Sequence, residues 1–182
     1  MRHIFAITIA ILWLAGQGAR ADILTLSEAG EKTPNQMHFD AVVAQCFETA
    51  DRRSAKAACA GRVSDLCMDA DQNWGHTTLG MMLCKMAETT AWSKIVETEL
   101  ALTLDDFEKA DSFDRENAHI DLPYRVPSLK ETHASWQTYK TAKCQSEYLI
   151  WRGGTLAKIA GANCDLNMTA DHALFLWSLR QP

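Results

Sequence analysis

LGMMLCKMAETTAWSKIVETELALTLDDFEK, residues 79–109, holds no proline, and its single glycine lies at the second position. Trp92, Ile95, Val96, Leu100, Leu104 and Phe107 recur at 3.6-residue spacing, as a helix with one buried side requires. Thr77 or Thr78 is placed to cap its start. At 1.5 Å per residue such a helix runs about 45 Å, long enough to bend or break. A single amphipathic helix of this length needs partners, and the flanking sequence supplies them.

Upstream, Phe39, Val42, Val43, Cys46 and Phe47 share one face of a helix spanning His38 to Ala50. Asp51 stands where it would cap a second helix, Arg52 to about Met68, with Gly61 inside it at a cost of about 1 kcal/mol relative to Ala. Asp69 to Gly75 reads as a polar loop, and Asp111 to Val126, with several carboxylates and Pro123, as the least regular internal segment. Ser128 is then expected to cap a helix reaching Arg152. Its Leu129, Trp136, Tyr139, Cys144, Tyr148 and Trp151 cover no more than half the helix surface, with Trp136 and Tyr139 reading as core. Gly153-Gly154 ends or interrupts it. Leu156–Ala162 and a last helix, Ala170–Leu179 capped by Thr169, complete the chain. Residues 22–35 form a loose lead with a short helix near Leu24–Ala29, and no segment alternates with period two. The expected fold class is all-α, a disulfide-stapled bundle of about five helices. The expected organisation is an N-terminal lead and helical extension, 22–66, packed as one unit with a helical domain, 67–182.

Residues 1–21 read as a secretory leader. Arg2 and His3 begin it, an apolar run follows from Ile4 to Ala15, and Ala19-Arg20-Ala21 presents small residues for cleavage after Ala21. The run is shorter than the roughly 20 residues a membrane span needs, and no later stretch reaches that length. Periplasmic or secreted localisation follows, with no membrane span after cleavage. The chain carries −5 at pH 7, and the leader holds two arginines and no acid, so the remaining 161 residues carry −7. That sign argues against nucleic acid, whose phosphates need a basic surface. It suits a cationic protein partner.

Cys46, Cys59, Cys67, Cys84, Cys144 and Cys164 make an even set without a C-x-x-C pair, which in an oxidising compartment reads as structural disulfides. Six cysteines allow fifteen connectivities. Nearest-neighbour pairing (Cys46–Cys59, Cys67–Cys84, Cys144–Cys164) closes loops of about 15 to 20 residues, each stabilising by about 3 kcal/mol.

Motifs for catalysis or metal binding are missing or incomplete. Asp69-x-Asp71-x-Asn73-x-Gly75 opens like a calcium loop, but Trp74 and Gly80 occupy the positions where such a loop needs Gly and Glu. A polar helix-to-helix turn is the better reading. His38, His76, His119, His133 and His172 lack metal-ligand spacing, and there is no nucleophile elbow, phosphate loop or dinucleotide fingerprint. No metal or other cofactor is expected, and no enzymatic role. Asn167-Met168-Thr169 matches a glycosylation sequon, which Thr169 as a helix cap explains equally. Asp111, Asp114, Glu116 and Asp121, with Tyr124 as an aromatic anchor, form the candidate binding surface in a locally acidic stretch.

Leu129-x6-Trp136-x2-Tyr139-Lys140-x-Ala142-x-Cys144, then Gly153-Gly154-Thr155, Cys164, Thr169 and Leu176, resembles the LprI-like lysozyme-inhibitor domain of exported bacterial proteins. Cys67, Cys84, the Thr77-Thr78 start and the Ala91–Leu104 helix resemble its first half, so the resemblance covers roughly Cys67 to Leu179. The chain departs from that pattern at His133, where Gln is common, at Lys140-Thr141, where Arg-Asp is usual, and at His172, where Arg is usual. If the family's Arg and Asp make internal polar contacts, this chain must satisfy the same region differently. Cys46 and Cys59 lie outside the resemblance. It implies a non-enzymatic exported binding protein that inhibits lysozyme by covering its two-carboxylate cleft. An envelope assembly module with another protein partner is the alternative on the same fold. A wall-active hydrolase is the third reading, for which no acid/base pair stands out.

Overall fold

The computed structural model describes residues 23–28, 30–117 and 123–181; the leader, its cleavage site and Asp121 lie outside them. Among the described residues helices dominate: α1 (Gln36–Thr49), α2 (Arg53–Ala57), α3 (Arg62–Ala70), α4 (Gln72–Gly75), α5 (Thr78–Asn117), α6 (Arg125–Ile150) and α7 (Thr155–Ser178). Two three-residue strands, β1 (Leu24–Leu26) and β2 (Lys32–Pro34), precede them as an antiparallel pair with Leu24 opposite Pro34. The protein is an all-α bundle. The strands replace the short helix expected near Leu24–Ala29. The Thr25 and Thr33 hydroxyls meet at 3.1 Å across the pair, and Gly30, at φ +77°, turns the chain between them.

Helix α5 is the axis. It runs 40 residues without interruption, about 60 Å, past the expected end at Lys109. The Thr77 hydroxyl accepts the Gly80 amide at 3.0 Å and caps it. Cys84, Ala87, Ala91, Trp92, Ile95 and Val96 are buried on its inner face, while Leu100, Leu104 and Phe107 pack half-buried against the same core. That core also takes Phe39, Val43 and Phe47 from α1, Val63 from α3, and Leu166, Ala170, Ala173, Leu174 and Leu176 from α7. The extension and the later helices therefore share one apolar interior.

Three other expectations are corrected. The second helix is split: α2 ends at Ala57, turns follow, and Gly61, at a left-handed φ of +86°, stands as the N-cap of α3. Helix α7 is continuous through Thr169. That residue caps nothing; it is buried, and its hydroxyl donates back to the Asp165 carbonyl at 2.7 Å. Helix α6 is largely exposed: Leu129 and Cys144 are its buried residues, Trp136 is half-buried, and Tyr139 lies 59% exposed instead of in the core. Its narrow contact edge explains why so little of it is enclosed.

The cysteines lie in three disulfide-bonded pairs, Cys46–Cys59, Cys67–Cys84 and Cys144–Cys164, with Cα separations of 6.0, 5.8 and 5.4 Å. The first joins α1 to the turn after α2, the second joins α3 to α5, and the third joins α6 to α7. The Asp69–Gly75 stretch, expected as a loop, is mostly helical: α3 runs to Ala70, Gln72–Gly75 form α4, and Asp71 between them caps α4 by accepting the Asn73 and Trp74 amides and pairs with Lys32 of β2.

A buried carboxylate joins the two parts of the chain. Glu88, on α5 and fully enclosed, accepts the Gly61 amide at 2.8 Å, the Ser64 amide at 2.7 Å and the Trp92 indole N–H at 3.1 Å. It supplies from another helix the cap that Gly61 cannot give to α3. Replacing Glu88 with Ala leaves three donors unpaired, the Ser64 amide and Trp92 indole buried and the Gly61 amide partly so. The expected loss is about 3–5 kcal/mol in urea unfolding, and a loss below about 1 kcal/mol would show that these donors find other acceptors.

Candidate functional site

The acidic end of the molecule is built where α5 stops and α6 begins. Asp111 is on the inner face of α5, four residues beyond Phe107, and is only 2% exposed. Its Oδ1 accepts the Arg125 amide and Oδ2 the Val126 amide, each at 3.0 Å, and Arg125 Nη1 donates to Oδ1 at 3.0 Å. Asp111 thus caps α6 from a neighbouring helix. That is why α6 begins at Arg125 instead of at Ser128, with Pro127 in the first turn where a missing N–H is tolerated. Desolvation pushes the Asp111 carboxyl up, but the Val126 and Arg125 amides and the Arg125 guanidinium outweigh it and hold the group below the usual carboxylate range. Asp114 is pinned too, with Arg125 Nη1 donating to it at 2.7 Å.

The remaining candidates face outward. Glu116 is exposed, and Tyr124 is 43% exposed with the Arg115 guanidinium 5.4 Å over its ring. Asp121 lies outside the described residues. The fold adds residues that the sequence reading passed over. Phe113 is 65% exposed, and it borders a shallow cavity of about 400 Å³ with Asp105, Glu108, Lys109, Ser112 and Glu116. Ending the helix at Lys109 hid this aromatic. Once α5 is extended, Phe113 lies two residues from buried Asp111 and so on nearly the opposite side. The acidic end therefore divides into an inner pair that holds the hairpin together and an outer rim of carboxylates around two exposed aromatics.

A second cluster lies midway along α6, where it meets α7. His133 Nδ1 and His172 Nε2 are 3.0 Å apart, and the His172 ring stacks on Trp136 with centroids 3.9 Å apart and planes at 4°. The Lys140 ammonium stands 5.3 Å over the Trp136 ring, 3.4 Å from the Thr169 hydroxyl and 3.8 Å from Asp165. Three departures from the LprI-like pattern thus gather around Trp136: His133 and His172 partner each other, while Lys140 is held separately by Thr169, Asp165 and the Trp136 ring. Two histidines replacing different residue types on separate helices was the available signal in the sequence.

The class defined by these features is an all-helical, disulfide-braced bundle whose distinctive surfaces lie on the α5–α6 hairpin and along α6. The family model described as "Lysozyme inhibitor LprI" matches residues 67–176, which is more than half of the chain, and the protein belongs to that family. Comparison with curated proteins and with solved structures gives no significant match.

The histidine pair makes a pH prediction. Burial lowers both imidazole pKa values; for His172 the adjacent His133 and Lys140 lower it further, to about 4. An unfolded chain takes up protons near pH 6.5 that folded His172 refuses until about pH 4. The stability linked to this ring is therefore complete above pH 6.5 and declines as pH falls toward 4, by up to about 3 kcal/mol. Urea midpoints measured across that interval should fall. His172→Phe, which keeps a ring on Trp136, should flatten the decline, and an NMR titration of His172 centred near the ordinary imidazole value would contradict the assignment.

Proposed function

We propose that this protein is exported and acts by binding a lysozyme, blocking the cleft with the acidic rim of its α5–α6 hairpin. The family match is the observation that carries this reading. The rim fits it chemically. Lysozymes are commonly basic enzymes that work with two carboxylates in a cleft. Glu116 offers complementary charge for encounter, beside Glu108 and Asp105, which pair with Arg115 and Lys109 at the exposed surface, and Phe113 and Tyr124 offer apolar anchors able to exclude water once seated. Asp111 and Asp114 serve the same surface from inside, by fixing where α6 starts and hence where Tyr124 stands. The proposed contact set is therefore Glu116, Asp121 and Tyr124 from the sequence reading, joined by Glu108 and Phe113.

Three disulfides suit an oxidising compartment, and among the described residues no helix is long and apolar enough to cross a membrane. Both agree with export by a cleaved leader to the periplasm or beyond. The proposed mode of action requires no chemistry from the protein itself: occupation of the cleft suffices, and the partner's own carboxylates are shielded from substrate.

A peptidoglycan-clearing assay with several lysozyme types tests the reading. Purified protein should slow at least one of them. The double substitution Phe113→Ala, Glu116→Lys should raise the concentration for half-inhibition by about tenfold or more, with the folded state intact. Unchanged clearing rates for every lysozyme type at large excess of the protein would remove the proposal. Inhibition that survives the double substitution would move the interface elsewhere.

A further inference from the structure

We propose that the turn between α6 and α7 docks this protein on an anionic phospholipid surface. The last residues of α6 and the first of α7 carry Leu149 (55% exposed), Ile150 (72%), Trp151 (48%) and Leu156 (48%). Apolar exposure of this kind, contiguous and at one tip, marks an interaction site more often than a scattered surface residue does. Leu149, Ile150 and Trp151 are consecutive on a helix end, so their side chains splay about 100° apart instead of lining one side. A protein groove accepts one face of a helix. A lipid interface accepts a tip that is apolar all round, and Trp is the side chain best suited to the headgroup boundary.

Charge favours the same partner. Between Tyr148 and Cys164 the charged residues are Arg152 and Lys158, both exposed, and no acid occurs. The nearest acid before this segment, Glu147, is paired with Lys143. The turn is thus a cationic, apolar spot on a chain whose net charge is −5. Its backbone is tightly held: the Arg152 amide donates to the Leu149 carbonyl at 3.0 Å and the Gly154 amide to the Trp151 carbonyl at 2.8 Å. Arg152 takes a left-handed φ of +47°, a region unfavourable for a side-chain-bearing residue, and Gly153 follows at +78°. That reversal keeps the crown of the hairpin short, with Trp151 and Arg152 side by side at its end.

The position within the molecule gives the docking a consequence. The apolar turn lies at one end of α6 and the Asp111–Arg125 cap at the other, 26 residues or about 39 Å away. A protein seated by its α6–α7 turn holds the acidic rim away from an anionic membrane, where repulsion would otherwise oppose approach. The lipid reading does not depend on lysozyme being the partner of that rim.

Co-sedimentation of the leader-less protein with phosphatidylglycerol/phosphatidylethanolamine vesicles tests it, with pure phosphatidylcholine vesicles in parallel. Binding to the anionic vesicles is expected, with weaker binding to phosphatidylcholine. Ile150→Ser, Trp151→Ser should lower the partition coefficient by about tenfold or more, and Arg152→Glu, Lys158→Glu should also lower it. All four positions are exposed, and an unchanged circular dichroism melt confirms folding of each variant. Failure to sediment with anionic vesicles, equal binding to both vesicle types, or full binding by the serine variant overturns the proposal. So does a vesicle-blind wild type that runs as a dimer on size exclusion and becomes monomeric with the serine pair, since the turn would then cover a second copy of the chain.

Discussion

A carboxylate with no access to water holds the two parts of this chain in one body. Glu88 sits in the first third of α5 and accepts two amides from the start of α3 and the indole N–H of Trp92. Burying a charge is expensive unless hydrogen bonds satisfy it, and here three donors converge on it. The geometry is demanding, so it fixes the angle of the extension against the axis helix. Cys67–Cys84 then closes the same junction covalently, and Phe47 meets Trp92 edge-on at 5.7 Å on the other side. Lys56 completes the arrangement on α2. Its buried ammonium donates to the Phe47 carbonyl and lies 4.2 Å from the Phe47 ring and 5.0 Å from that of Trp177, joining the extension to the end of α7.

The same device recurs at the far end of α5. Asp111 caps α6 as Glu88 caps α3, in each case a carboxylate from the long helix serving the open amides of a neighbour. Helix ends are normally capped by a residue of their own segment. Borrowing the cap from another helix makes each helix start depend on tertiary packing. This dependence ties the proposed binding surface to the fold: the acidic hairpin end presents Phe113, Glu116 and Tyr124 because Asp111 and Asp114 hold Arg125. Half of the acidity that looked like a binding surface is structural cement.

Helix α6 is the least enclosed of the long helices, and three fastenings hold it: the Asp111 cap, the His133–His172 contact beneath Trp136, and Cys144–Cys164. They are spaced along its length, so the helix is secured with few buried side chains. A helix fastened in this way leaves much of its surface to solvent or partners. The family pattern places other polar residues where His133 and His172 stand. The paired change substitutes a neutral ring-to-ring hydrogen bond for whatever those residues make, and it brings a dependence on pH through His172.

Much of this was legible in the sequence because it is local. The helical period of Trp92, Ile95 and Val96, the Thr77 cap, the break at Gly153-Gly154 and the all-α class depend on backbone periodicity and turn chemistry within a few residues. The order of aromatic, glycine and cysteine positions carried the family. What escaped was decided by residues far apart in the chain. Helix α6 began early because Asp111 caps it from α5, Gly61 split a helix because Glu88 waits for its amide, and Thr169 stayed inside α7 because packing on α5 rewards a continuous rod more than a local cap rewards a break. Which acids face inward, and which aromatics remain outside, follows from those long-range hydrogen bonds. Sequence spacing specifies which residues can share a face; only the assembled bundle determines which face is covered.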